Sequence, residues 1–282
     1  MHIIHHTTEL RSQVKKWHME RQSVCLVPTM GNLHEGHLAL VDRAKQLADK
    51  VVATIFVNPM QFIQGEDYDT YPRTFEQDSY ALSERGTDIL FAPEVDEVYP
   101  EGLENHTEIS VPAMDGFLCG ASRPGHFNGV ATVVSKLFNL VQPDTAIFGQ
   151  KDYQQLLVIK RMVSDLCIPI DIQSLPTVRE EDGLALSSRN GYLSEADRKT
   201  APRLYQQLTD IADQLKSGHA NFTALEKTGQ EKLKQVGFEP EYLSIRRQAD
   251  LGVAEKGDKD LVILVAARLG NTRLIDNLQV SI

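Results

Sequence analysis

The chain of 282 residues carries 39 acidic and 29 basic side chains, which give it a net charge of −10 when histidine is neutral. At about 150 residues per domain, this length predicts two domains. Hydrophobic residues make up 41% of the chain and charged residues 24%, as in ordinary globular proteins. The acidic balance repels a phosphate backbone and argues against general nucleic-acid binding, although a local positive patch could still bind a small anion.

Membrane and secretory features are not evident in the sequence. The longest apolar runs, residues 51–57 and 261–267, are too short for a bilayer, which takes about 20 residues. The first residues lack the basic end and apolar stretch of a signal peptide. The three cysteines, Cys25, Cys119 and Cys167, form no CxxC pair, so neither a zinc ribbon nor a disulfide framework is expected. We therefore expect a cytoplasmic protein without a membrane partner.

The first part of the chain alternates between short apolar runs and amphipathic segments. We predict strands over residues 23–28, 51–57, 88–92, 145–148 and 170–175. We predict helices between them over residues 37–50, 76–85, 130–141 and 153–166. Strands that alternate with helices at this spacing favour an α/β fold with a parallel sheet and crossover helices.

The character of the sequence changes near residue 177. Two polar amphipathic helices are predicted over residues 195–216 and 222–236, followed by strands over 242–245 and 261–267. Gly270-Asn271 then predicts the turn of a hairpin. The pattern indicates a larger domain over residues 1–176 and a small C-terminal α+β domain over residues 177–282.

The first chemical signal is the segment 28–37, which joins the first strand to the first helix. Gly31 and Gly36 have the spacing of a phosphate-binding P-loop, but His37 and Leu38 replace the lysine and hydroxyl residue that this loop requires. No GxG dinucleotide fingerprint occurs in the chain. A zinc-protease helix beginning at His34 would need a second histidine at position 38. These three interpretations therefore fail.

What remains is a His-x-Gly-His pattern formed by His34, Gly36 and His37. A spacing of three places both imidazoles on one side of a first helical turn, where free N–H groups and the helix dipole favour an anion. Gly36 has no side chain to keep a phosphate or a base from the backbone. Two histidines at this spacing in isolation are more often an exposed turn, but their position after a buried strand favours a nucleotide site.

Two further strand ends carry polar residues. Asn58 and Gln61 follow the second strand, and neutral amides can hold a hydroxyl or a carboxylate. Lys151 and Asp152 follow a later strand, where lysine suits a phosphate and aspartate suits ribose hydroxyls or a helix cap. An incidental loop and a solvated polar cap are the alternatives for these two segments.

The last candidate segment is Ser187-Ser188-Arg189, which offers hydroxyl donors and a guanidinium fork for a triphosphate. Other polar residues are less decisive. The pattern assigns no role to Arg73, Arg123 or His126, and Asp78 is a candidate outer partner for magnesium.

Four stretches together resemble the pantothenate synthetases, a family of the HxGH nucleotidylyl-transferase superfamily, which is related to class I aminoacyl-tRNA synthetases. These stretches are PTMGNLHEGH at 28–37, FVNPMQF at 56–62, FGQKDYQQ at 148–155 and LSSRN at 186–190. The resemblance extends along the whole chain in order and length. It implies a Rossmann-like nucleotidylyl-transferase domain over residues 1–176 and a lid over residues 177–282.

The resemblance also implies the reaction. It is the ATP-dependent condensation of pantoate with β-alanine through a pantoyl adenylate, which gives pantothenate, AMP and diphosphate for coenzyme A synthesis. Such an enzyme is a ligase that forms a C–N bond, uses Mg²⁺ and forms a homodimer. Two alternatives stay open: a related HxGH adenylyltransferase that acts on a phosphate acceptor, and a non-catalytic nucleotide sensor. The neutral Asn58 and Gln61 argue against the phosphate acceptor.

The functional residues that the resemblance implies fall into three groups. The implied catalytic side chains are His34, His37, Lys151 and Arg189. The implied ATP-binding residues are Met30, Gly31, Asn32, Leu33, His34, Glu35, Gly36, His37, Gly149, Gln150, Lys151, Asp152, Val178, Leu186, Ser187, Ser188 and Arg189. The implied pantoate and β-alanine ligands are Asn58, Gln61 and Gln155.

Overall fold

A computed structural model describes residues 1–282, and the chain divides into two compact units. The first unit comprises residues 1–150 and 155–176, and the second comprises residues 151–154 and 177–282. Residues 151–154 therefore belong with the C-terminal residues, unlike the continuous domain 1–176 expected from the sequence. The reason lies in their hydrogen bonds, because the Lys151 carbonyl accepts from Asn277 and the Tyr153 hydroxyl donates to the Gln248 carbonyl.

The first unit is built on a six-stranded parallel sheet, which confirms the predicted α/β class. Its strands are β1 (His2–Ile4), β2 (Val24–Thr29), β3 (Lys50–Ile55), β4 (Ile89–Phe91), β5 (Thr145–Gly149) and β6 (Asp171–Leu175). Their order is β1-β4-β3-β2-β5-β6, so the chain reverses direction across the sheet between β2 and β5. Ligands of open α/β sheets bind outside the carboxyl ends of strands at such a switch point.

Seven helices accompany these strands. They are α1 (Thr7–Met19), α2 (Glu35–Leu47), α3 (Phe75–Glu84), α4 (Val95–Val98), α5 (Cys119–Ser122), α6 (His126–Val141) and α7 (Tyr153–Asp165). The apolar runs of β2 and β3 are buried because helices cover a parallel sheet on both faces. Helix α6 is buried along most of its length, including polar residues such as His126, and not only along the apolar stripe seen in the sequence.

The sequence prediction missed β1 and α1 at the N-terminal end. Strand β1 has only three residues and pairs with β4. Helix α1 is largely polar, but Leu10, Val14 and Trp17 are buried at a spacing of four and three. That spacing is the signal that could have identified the helix.

The second unit is a three-stranded antiparallel sheet with helices, as the α+β prediction requires. Its elements are α8 (Glu195–Thr200), α9 (Arg203–Lys216), α10 (Phe222–Gln235), β7 (Phe238–Arg247), β8 (Asp260–Leu269) and β9 (Thr272–Ser281). The predicted turn at Gly270-Asn271 joins β8 to β9. The single helix predicted over 195–216 was wrong, because the chain breaks into α8 and α9 at Pro202, which has no N–H to continue a helix.

A shared apolar core holds the second unit together. It combines leucines of α9 and α10 with alternate residues of β8, including Ile263 and Val265. Neither unit contains a helix that meets both requirements of a membrane span, which are sufficient length and sufficient hydrophobicity.

Candidate active site

The His-x-Gly-His loop leaves the sheet at the carboxyl end of β2, beside the switch point. It turns sharply through Gly31 and Asn32, which both adopt positive φ angles, of 82° and 49°. A Cβ atom at Gly31 would lie 3.1 Å from both Asp78 Oδ2 and Ile55 Cγ2, so this turn combines a left-handed backbone with close packing. Helix α2 then begins at Glu35.

A buried carboxylate holds this loop in place. Asp78 of α3 is only 3% exposed, and it accepts hydrogen bonds from the backbone N–H groups of Asn32 and Leu33, each at 2.8 Å. The Thr74 hydroxyl donates a third hydrogen bond at 3.1 Å. The sequence suggested Asp78 as an outer partner for magnesium, but its observed contacts make it an anchor for the loop backbone.

The two motif histidines cap the start of α2. Nδ1 of His34 accepts from the Gly36 N–H at 3.1 Å, and Nδ1 of His37 accepts from the His34 N–H at 3.4 Å. The ring centroids are 4.1 Å apart. Because Nδ1 is the acceptor in each ring, a neutral imidazole must carry its proton on Nε2. Both neutral rings therefore carry their N–H donor at Nε2.

The loop after β3 contains Asn58, which is 1% exposed and whose side-chain amide has four hydrogen-bond partners. Its Nδ2 donates to Gln61 Oε1 at 3.2 Å and to the Gly129 carbonyl at 3.1 Å. Its Oδ1 accepts from the Met60 N–H at 3.3 Å and from the Tyr99 hydroxyl at 2.9 Å. An amide has two donors and two acceptor lone pairs. These contacts favour a role for Asn58 in positioning Gln61 over the direct ligand contact expected from the sequence.

Gln61 connects this loop to the histidine loop. Its Nε2 lies 2.9 Å from the sulfur of Met30, which precedes the turn at Gly31. Helix α6 approaches the same loop closely at Gly129, where a Cβ atom would lie 2.2 Å from the Met60 carbonyl oxygen. The structure thus brings Met30 and Gln61 together, with the backbone of α6 packed directly against the loop.

A charged cluster fixes the backbone of Gln61. The Gln61 carbonyl accepts from His126 Nδ1 at 2.7 Å and from Arg123 Nη2 at 3.3 Å. Arg123 also donates from Nη1 to His126 Nε2 at 2.7 Å and pairs with both carboxylate oxygens of Glu66, at 2.5 and 2.7 Å. Burial tends to raise the pKa of Glu66, but hydrogen bonding and the charge of Arg123 lower it overall. Arg123 and His126, to which the sequence pattern assigned no role, both belong to this cluster.

The remaining predicted residues of the first unit lie at β5 and α7. Gly149 ends β5, which pairs with β2, and Gln150 donates to the Ser174 hydroxyl at 3.1 Å. Gln155 is half-buried in the first turn of α7.

The other predicted ATP-binding residues belong to the second unit. Lys151 Nζ lies 3.9 Å from Asp152 Oδ2. Val178 and Leu186 face each other across a short hairpin, in which the Leu186 N–H donates to the Val178 carbonyl at 3.0 Å. The Ser187 hydroxyl accepts from the Arg189 N–H at 3.3 Å and starts a 3₁₀ turn over 188–192.

Neither unit contains a group of three or more His, Cys, Asp or Glu side chains that could hold a metal ion. Asp78, the candidate from the sequence, has its carboxylate oxygens hydrogen-bonded to backbone N–H groups and a hydroxyl. The residues therefore do not form a protein cage for magnesium.

Comparison with known proteins identifies the family. The family model described as pantoate-beta-alanine ligase matches residues 2–279. The chain belongs to this family. It is a ligase of the α/β class whose relatives match it over nearly their whole length.

Two curated relatives carry the name pantothenate synthetase. The protein of Chromohalobacter salexigens is 57% identical over 274 residues, which is 97% of this chain and 96% of that protein. The protein of Pseudomonas fluorescens is 55% identical over 282 residues, covering 100% of this chain and 99% of the relative.

Solved structures of pantothenate synthetases have the same fold. The structure from Thermus thermophilus superposes with a TM-score of 0.92 and 48% identity, over 99% of both chains. A pantoate-beta-alanine ligase from Francisella tularensis, complexed with β-γ ATP and β-alanine, gives a TM-score of 0.83 and 34% identity, over 99% of this chain and 97% of that one.

Several residues that hold the ligand-facing segments were not identified in that role from the sequence. Asp78 was named only as a magnesium candidate, and Glu66 and the pair Asp276-Asn277 were not named at all. Each bonds to a segment that carries predicted site residues. One signal was present for the last pair, because Asp and Asn are uncommon within strands. Two in succession within β9 indicate a specific polar contact.

Proposed function

We propose that this chain joins pantoate to β-alanine, using ATP, through a bound pantoyl adenylate, and releases pantothenate, AMP and diphosphate. Family membership supports the overall reaction. The observation that carries the proposal is the pair of Nε2–H donors of His34 and His37, in a loop at the switch point of the sheet that also contacts Gln61 through Met30. A neutral amide in contact with this loop suits an acceptor that is a carboxylate and not a phosphate.

In the first step, a carboxylate oxygen of pantoate attacks the α-phosphorus of ATP, and the bond to the bridging oxygen of diphosphate breaks. Negative charge accumulates on the phosphate oxygens as this happens. We assign its stabilisation to the Nε2–H groups of His34 and His37, with Lys151 and Arg189 of the second unit as cationic donors. No covalent bond to the enzyme forms.

In the second step, the amine of β-alanine attacks the carbonyl carbon of the adenylate. The C–O bond to the phosphate breaks, AMP leaves, and the amine loses a proton as the amide forms. We assign pantoate binding to Gln61 and Gln155 and a contact with β-alanine to Gln61. Asn58 has the role of fixing the Gln61 amide, through the 3.2 Å hydrogen bond between the two side chains.

The nucleotide contacts follow the same proposal. Residues 30–37, 149–152 and 186–189 bind ATP, and Val178 contacts the adenine. Mg²⁺ would neutralise charge on the triphosphate, and without a protein cage it would take its ligands mainly from phosphate oxygens and water.

The setting of the enzyme is also part of the proposal. We assign it to the cytoplasm as a homodimer that binds small molecules and not nucleic acid. Three free cysteines and a net charge of −10 support the compartment and the exclusion of nucleic acid. The dimer rests on the family resemblance, and light scattering on the purified chain tests it.

Labelled oxygen tests the chemical route. Pantoate labelled with heavy oxygen in its carboxylate should transfer one labelled oxygen to AMP, because that oxygen bridges carbon and phosphorus in the mixed anhydride. Reactions that omit pantoate, β-alanine or ATP in turn are the controls. Production of ADP with label in inorganic phosphate would indicate an acyl-phosphate route and contradict the proposal. ATP binding without AMP formation would instead indicate a nucleotide sensor.

A further inference from the structure

Two successive polar residues, Asp276 and Asn277, are buried within β9, at 4% and 5% exposure. Successive side chains of a strand point to opposite faces, so one of the two would normally face solvent. Burial of an unpaired polar group is costly, and a buried pair of this kind needs specific partners. Both partners lie in segments that carry predicted ATP-binding residues.

Asp276 binds the guanidinium of Arg179 in a two-pronged contact. Nη1 of Arg179 lies 2.6 Å from Oδ2 and Nη2 lies 2.9 Å from Oδ1. The same guanidinium donates to the Gly183 carbonyl at 3.1 Å and stacks over the Tyr205 ring, 3.6 Å from its centroid. Burial raises the pKa of Asp276, while Arg179 and the charge of Lys151 act in the opposite direction.

Arg179 belongs to the short hairpin that carries the serine-arginine segment. It forms a bridge with Ala185 across the hairpin, next to the Leu186–Val178 hydrogen bond. Val178 precedes Arg179 in one strand of this hairpin, and residues 186–189 continue from Ala185 in the other. The Asp276 carboxylate therefore fixes the hairpin to β9 through one arginine.

Asn277 fixes a different segment. Its Nδ2 donates to the carbonyl oxygen of Lys151 at 2.9 Å. The backbone carbonyl of Asn277 also accepts from Arg179 Nη2 at 3.2 Å, and its N–H donates to Asp276 Oδ1 at 2.8 Å. Two adjacent residues of one strand thus bind both the Lys151 backbone and the hairpin that leads to Arg189.

We propose that Asp276 and Asn277 are positioning residues, which hold the backbone of Lys151 and the 186–189 segment in fixed relation for contact with the phosphates of ATP. Neither side chain needs to touch substrate. The catalytic consequence rests on the proposed function, in which Lys151 and Arg189 stabilise charge during adenylation.

The central test uses Asn277→Ala, which removes the hydrogen bond to Lys151 and leaves the Asp276 carboxylate in place. Pantoate-dependent exchange of labelled diphosphate into ATP isolates the adenylation step. We expect a loss of about 3- to 10-fold in kcat/KM for ATP, as befits one hydrogen bond. KM for β-alanine in the full reaction should change less than about twofold.

The matched control is Asn221→Ala, which removes another asparagine hydrogen bond of the second unit, the N-terminal cap of α10. Thermal melts should show a loss of stability in both variants, but only Asn277→Ala should affect ATP kinetics. A conservative variant, Arg179→Lys, keeps the charge beside Asp276 and loses the two-pronged contact. It should also lower kcat/KM for ATP while the fold is retained.

A double-mutant cycle decides whether Asn277 acts through Lys151. Lys151→Ala alone should impair adenylation, and adding Asn277→Ala should then cause little further loss, since coupled residues are not additive. Additive losses, or unchanged ATP kinetics in Asn277→Ala beside an impaired Lys151→Ala, would overturn the positioning proposal alone. Normal adenylation in Lys151→Ala would instead remove Lys151 from the proposed function, and the positioning proposal with it.

Discussion

The two units hold their proposed ATP-binding segments by different means. In the first unit, Asp78 accepts hydrogen bonds from backbone N–H groups of Asn32 and Leu33. In the second, Asp276 pairs with the guanidinium of Arg179. Both carboxylates are nearly inaccessible to solvent. One loop is therefore held by its main chain, and the other by one particular side chain.

This difference affects how each segment responds to substitution. A buried N–H group that loses its acceptor costs about 1–3 kcal/mol, whichever side chain the residue bears. A buried ion pair that loses one partner leaves an uncompensated charge, which costs about 3–5 kcal/mol. The anchor of the histidine loop should therefore tolerate changes at Leu33 that keep the backbone, whereas the hairpin depends on the identity of Arg179.

We expect the largest effect on the adenylation rate from substitution of a proposed catalytic histidine in the first unit. His37→Ala should lower the adenylation rate by about 10²–10³, the usual loss for one transition-state donor. Single-turnover release of diphosphate measures it, with the exposed His18→Ala as a matched control. Near-normal release in a folded variant would remove His37 from its proposed role.

Asp78→Asn tests the main-chain anchor itself. The new amide group cannot accept from one of the two loop N–H groups, so we expect a loss of about 1–3 kcal/mol in stability and weaker ATP binding. Asp42→Asn, which removes an exposed carboxylate paired with Arg85 on the same unit, is the control. Denaturant unfolding and ATP titration give the two quantities. Equal behaviour of the two variants would contradict the anchoring role.

Gln61→Ala separates the acceptor from the nucleotide within the first unit. We expect pantoate binding to weaken by about 1–3 kcal/mol, because a bound polar group loses its partner. ATP binding should change much less, since the histidine loop keeps its anchor at Asp78. Calorimetric titration with each ligand measures the two effects. Equal losses for both ligands would mean that the whole region had been disturbed.

The smallest effect concerns a half-buried carboxylate anchor, whose side chain is 24% exposed. Glu97 accepts from the Thr7 N–H and hydroxyl, both at 2.7 Å, and these bonds lower its pKa to about 2. A lowered pKa stabilises the fold above the usual value of 4.5, and this contribution is lost as pH falls toward 2. Glu97→Gln should therefore cost under about 1 kcal/mol at pH 7. The difference in Tm between the two proteins should shrink over this acid range; a constant difference would contradict the assignment.

Much of the architecture could be predicted from local pattern. The β-branched run at 51–55 identified β3, and a proline-ended apolar run identified β2. Because these strands are parallel, the motifs after them had to share one edge of the sheet. The histidine loop and Gln61 could therefore be predicted to lie at the same edge, although no long-range contact was known.

The hydrogen bonds that hold the site segments in place could not be predicted, because their partners are far apart in sequence. Asp78 lies 46 residues beyond Asn32, and Asn277 lies 126 residues beyond Lys151. Position after a strand indicated that Asn58 lies near the sheet edge, but not that its amide is buried against Tyr99. Some local signals did go unused, such as Pro202, whose position within the predicted helix 195–216 was visible in the sequence.

The close approach at Gly129 limits how this enzyme could be redesigned. A Cβ atom at position 129 would collide with the Met60 carbonyl oxygen and would also lie 2.7 Å from the backbone nitrogen of Gln61. Any larger residue must therefore push the loop outward, together with the amide that is proposed to select pantoate. Grafting a loop of different shape onto this scaffold, to accept another hydroxy acid, would require rebuilding α6 at the same time. A change in the path of the loop backbone therefore requires a matching change in the helix.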